Sequence, residues 1–335
     1  MATSNPQDLS RRALCAAGAF TLANAALAQA SSGGSAKPWP SQPLRVLVGS
    51  PGGSSTDMVA RVLAEPLSKA LGQPVIVDNR PGASGDIAAD IVAKATDQHT
   101  IGMLINGNMT IAKLIRPGLP YDPQTDLAPV SLICIAPLVL AAPANAPGDD
   151  AQGFFAAARS AGNRWSYGSP GTGTIGHLGM ELLKASSGIA PVHVPYMGNP
   201  QVIGGMIGGQ LQLALLPPGL AEPQISAGKL RAIGVTSAAR SPLVPTYPSL
   251  EEGGVKGFEL QIWTAAAAPA SMPPAIVAKL SALLGEITRS PDVAQKLFQH
   301  GYQPVGTSSG ELSRRIQADT AMLKRIIVAQ GLKLE

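Results

Sequence analysis

Residues 44–67 read LRVLVGSPGGSSTDMVARVLAEPL, and a change of rhythm inside that stretch decides the fold. The apolar run 44–48 reads as a strand, and residues 49–55 as a glycine- and serine-rich turn. Beyond the turn, Met58, Val59, Val62, Leu63, Leu67 and Leu71 fall on one helical face, so the spacing predicts a helix over 57–71, kinked at Pro66. Downstream, 75–77 reads as a strand, 87–94 as a helix and 100–105 as a strand. That completes the βαβ alternation of a parallel sheet, whose ligand sites lie at the carboxyl ends of the strands.

The alternation then restarts, with helices over 154–160, 175–187 and 200–207 interleaved with strands at 165–168, 192–195, 211–216 and 230–236. After an extended stretch at 260–268 the chain becomes helical over 274–288, 292–300 and 309–330. Ser308 and Glu311 have capping-box spacing at the start of the last helix. The expected fold class is α/β, with two lobes joined by a hinge, each a mainly parallel sheet flanked by helices. The helical tail needs a surface to dock on, and the first lobe's sheet offers one. Residues 44–140 and 262–335 then form a discontinuous first lobe and 141–261 the second, with crossings near 137–143 and 258–268.

Composition agrees. In 335 residues, 45% are hydrophobic and 14% charged, enough for real cores, while 37 glycines and 30 prolines are too many for a helical bundle. The formal charge of +4 comes from scattered residues and only 4% of the chain is aromatic, which excludes a nucleic-acid surface. At the N-terminus, Arg11-Arg12, an apolar Ala-rich stretch over 13–27 and the triplet Ala28-Gln29-Ala30 read as a signal peptide cleaved after residue 30. The general secretory and twin-arginine routes are both open. Residues 31–43 read as a linker, and the mature protein is expected in the periplasm. Removal of Cys15 leaves Cys134, which sits in an apolar run and reads as a buried thiol.

Two strand-to-helix corners are rich in glycine and hydroxyl groups. In the first, Gly53, Ser54, Ser55, Thr56 and Asp57 surround a helix start; in the second, Ser169, Gly171, Thr172, Gly173 and Thr174 do the same. Backbone N–H groups at a helix start suit an anion. The other reading is that both corners are tight turns whose Ser, Thr and Asp residues cap the helix that follows. Asp57 itself reads either as a cap or as a ligand contact. Asn106 and Asn108, ending the third strand, are candidate cleft residues, and Arg80 reads as an ion-pair former.

Most enzyme signatures are absent: there is no Walker lysine after the glycines of the first corner, and no HExxH or CxxC. No metal site and no cofactor are expected. His177, in the first turn after the second corner, either orients that loop or faces the cleft. A secreted hydrolase using Ser169 or Ser54 with His177 is the alternative from another class, although no acid is placed to orient the histidine.

Several segments recur in a family-specific order. They are Pro51-Gly52-Gly53-Ser54-Ser55-Thr56-Asp57, Asn79-Arg80-Pro81-Gly82-Ala83, Tyr121-Asp122-Pro123, Tyr167-Gly168-Ser169 through His177-Leu178, His193-Val194-Pro195-Tyr196, Gly208-Gly209-Gln210 and Ala227-Gly228-Lys229-Leu230-Arg231-Ala232. Over residues 40–330 the chain resembles the Bug-type receptors, the periplasmic solute-binding proteins of tripartite tricarboxylate transporters. The resemblance implies a type II-like periplasmic-binding-protein fold that closes on a small organic carboxylate through main-chain groups and ordered waters at the two corners. It also implies large and small integral-membrane subunits as partners of a monomeric receptor; delivery to a sensor is the other role open to such a fold.

Against the family pattern, Ser54 replaces the second of two paired glycines, Met197 stands where lysine is usual, and Thr264 where an aromatic is usual. Leu216 stands near the pocket at a position commonly acidic in the family. Without that acid a ligand amine has no partner, so the expectation is a carboxylate with apolar bulk rather than an amino acid.

Overall fold

The computed structural model describes residues 38–329. The signal-peptide reading of residues 1–30 lies outside them. The first sheet has six strands: β1 (Leu44–Val48), β2 (Val75–Asn79), β3 (Thr100–Ile105), β4 (Leu127–Pro137), β10 (Gln261–Pro269) and β11 (Gln303–Pro304), in the order β11-β4-β10-β3-β1-β2. The second has β5 (Val139–Pro143), β6 (Ser166–Ser169), β7 (Val192–Pro195), β8 (Leu213–Leu216) and β9 (Leu230–Val235), in the order β7-β6-β8-β5-β9. The helices are α1 (Ser55–Leu71), α2 (Asp86–Ala93), α3 (Asn106–Met109), α4 (Ala112–Ile115), α5 (Ala151–Ala161), α6 (Ile175–Ser187), α7 (Asn199–Ile207), α8 (Pro218–Ser226), α9 (Pro274–Arg289), α10 (Pro291–Gln299) and α11 (Ser309–Ala329).

The fold is two-lobed α/β, but its sheets are mixed rather than mainly parallel. β1 runs parallel to β2 and β3, and β6 to β7 and β8, whereas β10 is antiparallel to β3 and β4, and β5 to β8 and β9. The cause is topological. β1 and β3 end at the cleft; a strand arriving from the other lobe must begin there, and so runs the opposite way. β10 does this in the first sheet and β5 in the second.

β4 and β5 are separated by Leu138 alone. Thr236 ties this crossing to the return one: its hydroxyl donates to the Leu260 carbonyl at 2.6 Å and accepts from the Leu138 N–H at 2.8 Å. Its own N–H donates to the Leu138 carbonyl at 2.9 Å.

Strand periodicity sorts the second sheet's faces. Leu140, Leu213 and Leu215 join Phe154, Tyr167 and Leu178 in one cluster. Val139, Ala141, Ala214 and Leu216 join Val202 and Val235 in a cluster on the opposite face. In the first lobe Leu47, Ala89, Leu104, Leu132 and Trp263 form the core. The tail helix α11 does not dock on the first lobe alone. Its Leu312 and Ile316 enter that core, while Leu323 and Ile327 enter the second lobe's cluster together with Ile111 and Ile115.

Candidate functional site

The two corners turn out to be built differently. α1 starts at Ser55, two residues before the expected position, and its N-cap residue Ser54 is extended and makes no side-chain cap hydrogen bond. The second corner spends its hydroxyls on itself. Thr174 caps α6 by accepting from the His177 N–H and donates to the Gly171 carbonyl at 2.8 Å. Ser169 Oγ contacts the Gly171 backbone at 3.2 Å and His193 Nε2 at 2.7 Å. The capping reading therefore describes the second corner, and the first leaves its serines open.

A cavity of about 90 Å³ lies between the lobes, room on the order of half a dozen waters or a short-chain organic acid. Among the helices that begin on its wall are α1 at Ser54 to Thr56, α6 at Thr174 to Gly176, and α7 at Gly198 and Asn199. The first-turn amides of a helix lack intrahelical acceptors, and each helix start carries roughly half a positive charge. Among the described residues the wall holds no Asp, Glu, Lys or Arg. It does hold five buried polar atoms with no hydrogen-bond partner among the described residues: Ser50 Oγ, Ser54 Oγ, Ser55 Oγ, Asn199 Oδ1 and Tyr302 Oη. Tyr302 lies beside Ser55, yet neither completes a hydrogen bond of ordinary geometry. Buried polar groups are nearly always satisfied, so five on one wall mark a surface shaped for a polar ligand. Met103, Ile105, Leu138, Leu215, Ile262 and Trp263 supply the apolar part of the wall. Trp263 is fixed from behind, its Nε1–H donating to Asp319 at 2.6 Å.

Of the residues expected from sequence, Ser54, Ser55, Thr56, Asn106 and Thr174 are on this wall, and Gly53, Asp57, Ser169, Gly171, Thr172, Gly173, His177 and Leu216 are not. Asp57 supports the loop from below. Its carboxylate accepts from the Gly53 N–H at 2.9 Å, Asn79 Nδ2 at 2.9 Å and Arg61 Nε at 3.0 Å. Burial alone would raise this carboxyl, but the three donors hold it below its ordinary range. His177 orients the second loop: its Nδ1 accepts from the Gly173 N–H at 3.2 Å and its ring stacks on His193 at 4.2 Å. Leu216 faces the opposite side of its strand, and its neighbour Leu215 takes the wall position. Gly171 and Thr172 line an outer mouth instead.

Ser84, Asn199 and Tyr302 were missed. Asn199-Pro200 carries a helix-start signal that marks Asn199, whereas Tyr302 reaches the wall only because the tail folds back onto the first lobe. Asn108, the other asparagine singled out from the sequence, is also on the wall; its Nδ2 donates to Asp86 at 2.7 Å and to the Ser84 carbonyl at 3.1 Å, and Asp86 pairs with Arg116. Burial raises the Asp86 carboxyl despite Arg116, Asn108 and the Tyr121 hydroxyl beside it. No cluster of His, Cys, Asp or Glu among the described residues is arranged to hold a metal ion. No helix among them is long and apolar enough to cross a membrane.

The contacts between the lobes flank this cavity. On one rim Ser84 Oγ donates to the Thr172 carbonyl at 2.8 Å. Ser84 belongs to a run, residues 82–85, in which every φ is positive (132°, 47°, 60° and 93°), a costly backbone for Ala83 and Ser84 that concentrates at ligand clamps. On the other rim Gly219, in the first turn of α8, lies directly against the backbone of His300 and Gly301.

The chain matches the family model described as "Tripartite tricarboxylate transporter family receptor" over residues 59–332. It is 34% identical over 313 residues to the protein in the tcbD-tcbE intergenic region of Pseudomonas sp. (strain P51), covering 92% of this chain and 93% of that one. It is 30% identical over 303 residues to "Protein BugT" of Bordetella pertussis, covering 90% and 93%. Among solved structures it is similar to "R. palustris Rpa4515 with adipate", with TM-score 0.84 and 31% identity over 88% of this chain and 98% of that one. It is also similar to "MatC (Rpa3494) from Rhodopseudomonas palustris with bound malate", with TM-score 0.81 and 29% identity over 86% and 100%. With its two-lobed fold and interlobe cavity, the chain belongs to the tripartite tricarboxylate transporter receptor family, the Bug-type periplasmic solute-binding proteins.

Proposed function

We propose that the protein is a periplasmic receptor that closes its two lobes on one small organic carboxylate and delivers it to large and small integral-membrane transporter subunits, without chemistry. The observation that carries the reading is the cavity wall, where unpartnered hydroxyls and the N-termini of α1, α6 and α7 converge and no charged side chain intrudes among the described residues. Donors and partial positive charge suit a carboxylate; an ammonium group finds no counter-charge. Residues 44–140 with 262–335 then form one lobe and 141–261 the other, hinged at the crossings tied by Thr236. Ligand binding energy becomes available only when both lobes touch the ligand, which drives closure. Structures of relatives titled with adipate and malate support the ligand class.

For the hydrolase alternative, Ser169 is fully buried and bonds His193 rather than His177, and Ser54 has no histidine among its hydrogen-bond partners, which favours the binding reading. Export after removal of residues 1–30 belongs to the same proposal, and mass spectrometry of the periplasmic fraction should find Ser31 first. The deciding experiment is a thermal-shift screen of carboxylates followed by calorimetry and product analysis. One acid bound per monomer and recovered unchanged is expected. Sustained conversion, or no binding by any carboxylate, overturns the reading.

A further inference from the structure

The 90 Å³ cavity is not the only space between the lobes. A wider mouth of about 570 Å³ lies outside it, lined by residues 82–84, 171–172, 195–197, Arg116 and Gln201. Among the described residues, only Ser84 and Met197 line both spaces, so the two together form the neck between them.

The two sides of the neck differ mechanically. Ser84 is pinned: its hydroxyl donates to the Thr172 carbonyl and its backbone is held at φ 60°. Met197 is held by nothing comparable. Its neighbour Tyr196 is anchored by a backbone hydrogen bond to Ser169 at 2.9 Å, yet the Met197 residue remains 60% exposed. An unbranched thioether with three rotatable bonds adapts to what passes it. The width of the neck is therefore set by the side chain at position 197. The chemistry also changes across it. Among the described residues, the inner wall has no charged side chain; outside, Arg116, which pairs with the buried Asp86, is the one charged residue of the mouth, and its Nε has no hydrogen-bond partner.

We propose that Met197 is a length gate: it confines the bound acid to the inner cavity and excludes acids whose chains must run through the neck into the mouth. This rests on the carboxylate-receptor reading and adds which carboxylates are accepted. A chain admitted past position 197 gains apolar contact in the neck, and a distal carboxylate on it comes within the field of Arg116.

The test is calorimetry with two graded series, straight-chain monocarboxylates from acetate to decanoate and dicarboxylates from malonate to sebacate, on the wild type, Met197→Ala and Met197→Trp. For the wild type, affinity should climb with length, peak at a short member and drop at least tenfold beyond it. In Met197→Ala the peak should move to longer acids, each newly accommodated methylene adding about fourfold. The shortest binders should stay within threefold, and long dicarboxylates should gain more than monocarboxylates of equal length. Met197→Trp should move the cut-off to shorter acids. Because the side chain is exposed, melting temperatures of the unliganded variants should match the wild type and show that the fold is intact. The same length optimum in all three proteins, with short acids binding, refutes the gate and leaves the receptor reading standing. Failure of every acid to bind the wild type removes the receptor reading and the gate with it.

Discussion

Replacing Gly219 by alanine should weaken ligand binding without weakening the fold. Gly219 sits in the first turn of α8 in the second lobe, pressed against the His300 carbonyl and the Gly301 backbone of the first lobe. A Cβ built at Gly219 falls far inside the 3.0 Å that real Cβ atoms keep from other heavy atoms, and what it meets is backbone, which has no rotamer to turn aside. The lobes must therefore separate there by about 1 Å, a displacement that costs up to about a hundredfold where groups must be positioned. Pro217 and Tyr302, two residues before Gly219 and one after Gly301, are cavity wall residues, so the wedge acts directly on the site. Hydrogen bonds to a carboxylate that are near 2.8 Å in the closed state pass 3.5 Å and are lost. One such bond is worth about 1.5 to 3 kcal/mol, roughly a ten- to hundredfold loss of affinity. The contact lies between lobes rather than inside either core, so the unliganded melting temperature should stay within a degree or two. Gly204→Ala, in α7 of the same lobe, is the matched control because nothing lies within 4 Å of a Cβ there. Calorimetry with the acid found by screening decides. Affinity of Gly219→Ala within threefold of Gly204→Ala would refute the argument that binding requires the lobes to meet at this rim.

Other outcomes follow from the same geometry. Ser54→Asp should abolish binding by at least about tenfold, because it places a carboxylate among first-turn amides of α1 on the wall, whereas Thr172→Asp, in the outer mouth beside Arg116, should stay within threefold; calorimetry on both distinguishes wall from mouth. Asp57→Ala should lower stability in urea melts by about 2 kcal/mol, because the Gly53 N–H and Asn79 lose their shared acceptor. Burial, and then the neighbouring His177, depress His193 to about 4 from an ordinary 6.5. Its neutral form therefore contributes stability that is complete above pH 6.5 and lost as pH falls to about 4, at most about 3 kcal/mol. The fall in melting temperature over that window should be shallower in His193→Gln, and parallel curves for the two proteins would count against it.

The strand-to-helix corners were legible because glycine, serine and a following helical period leave a local mark, and α1, α6 and α7 start within a few residues of the expected positions. β4 and β5 were not resolved as strands. Residues 127–143 are nearly all buried, so neither alternation nor a break announces that Pro137 ends one sheet and Val139 begins the other. The mixed sheets follow from that crossing, and local periodicity carries no sign of strand direction. In the candidate site, sequence alone assigned the two corners an equal share, whereas the first corner contributes Ser54, Ser55 and Thr56 to the cavity wall and the second, of its named residues, only Thr174. Ser169 and Thr174 are hydroxyl residues of the same kind as Ser54, and only their partners in space, His193 and Gly171, consume them. Leu216 differs from Leu215 by one position in the strand, which suffices to turn it to the other face.

Helix α11, buried at Leu312 in one lobe and at Leu323 in the other, has a consequence for unfolding. Neither sheet has a complete core without it. The lobes consequently share one denaturation event, where two sheets with separate cores would melt in two steps. Stabilisation by a bound acid spreads the same way: amides in the last turns of α11 that open only with global unfolding gain as much exchange protection from the ligand as strands beside the cavity.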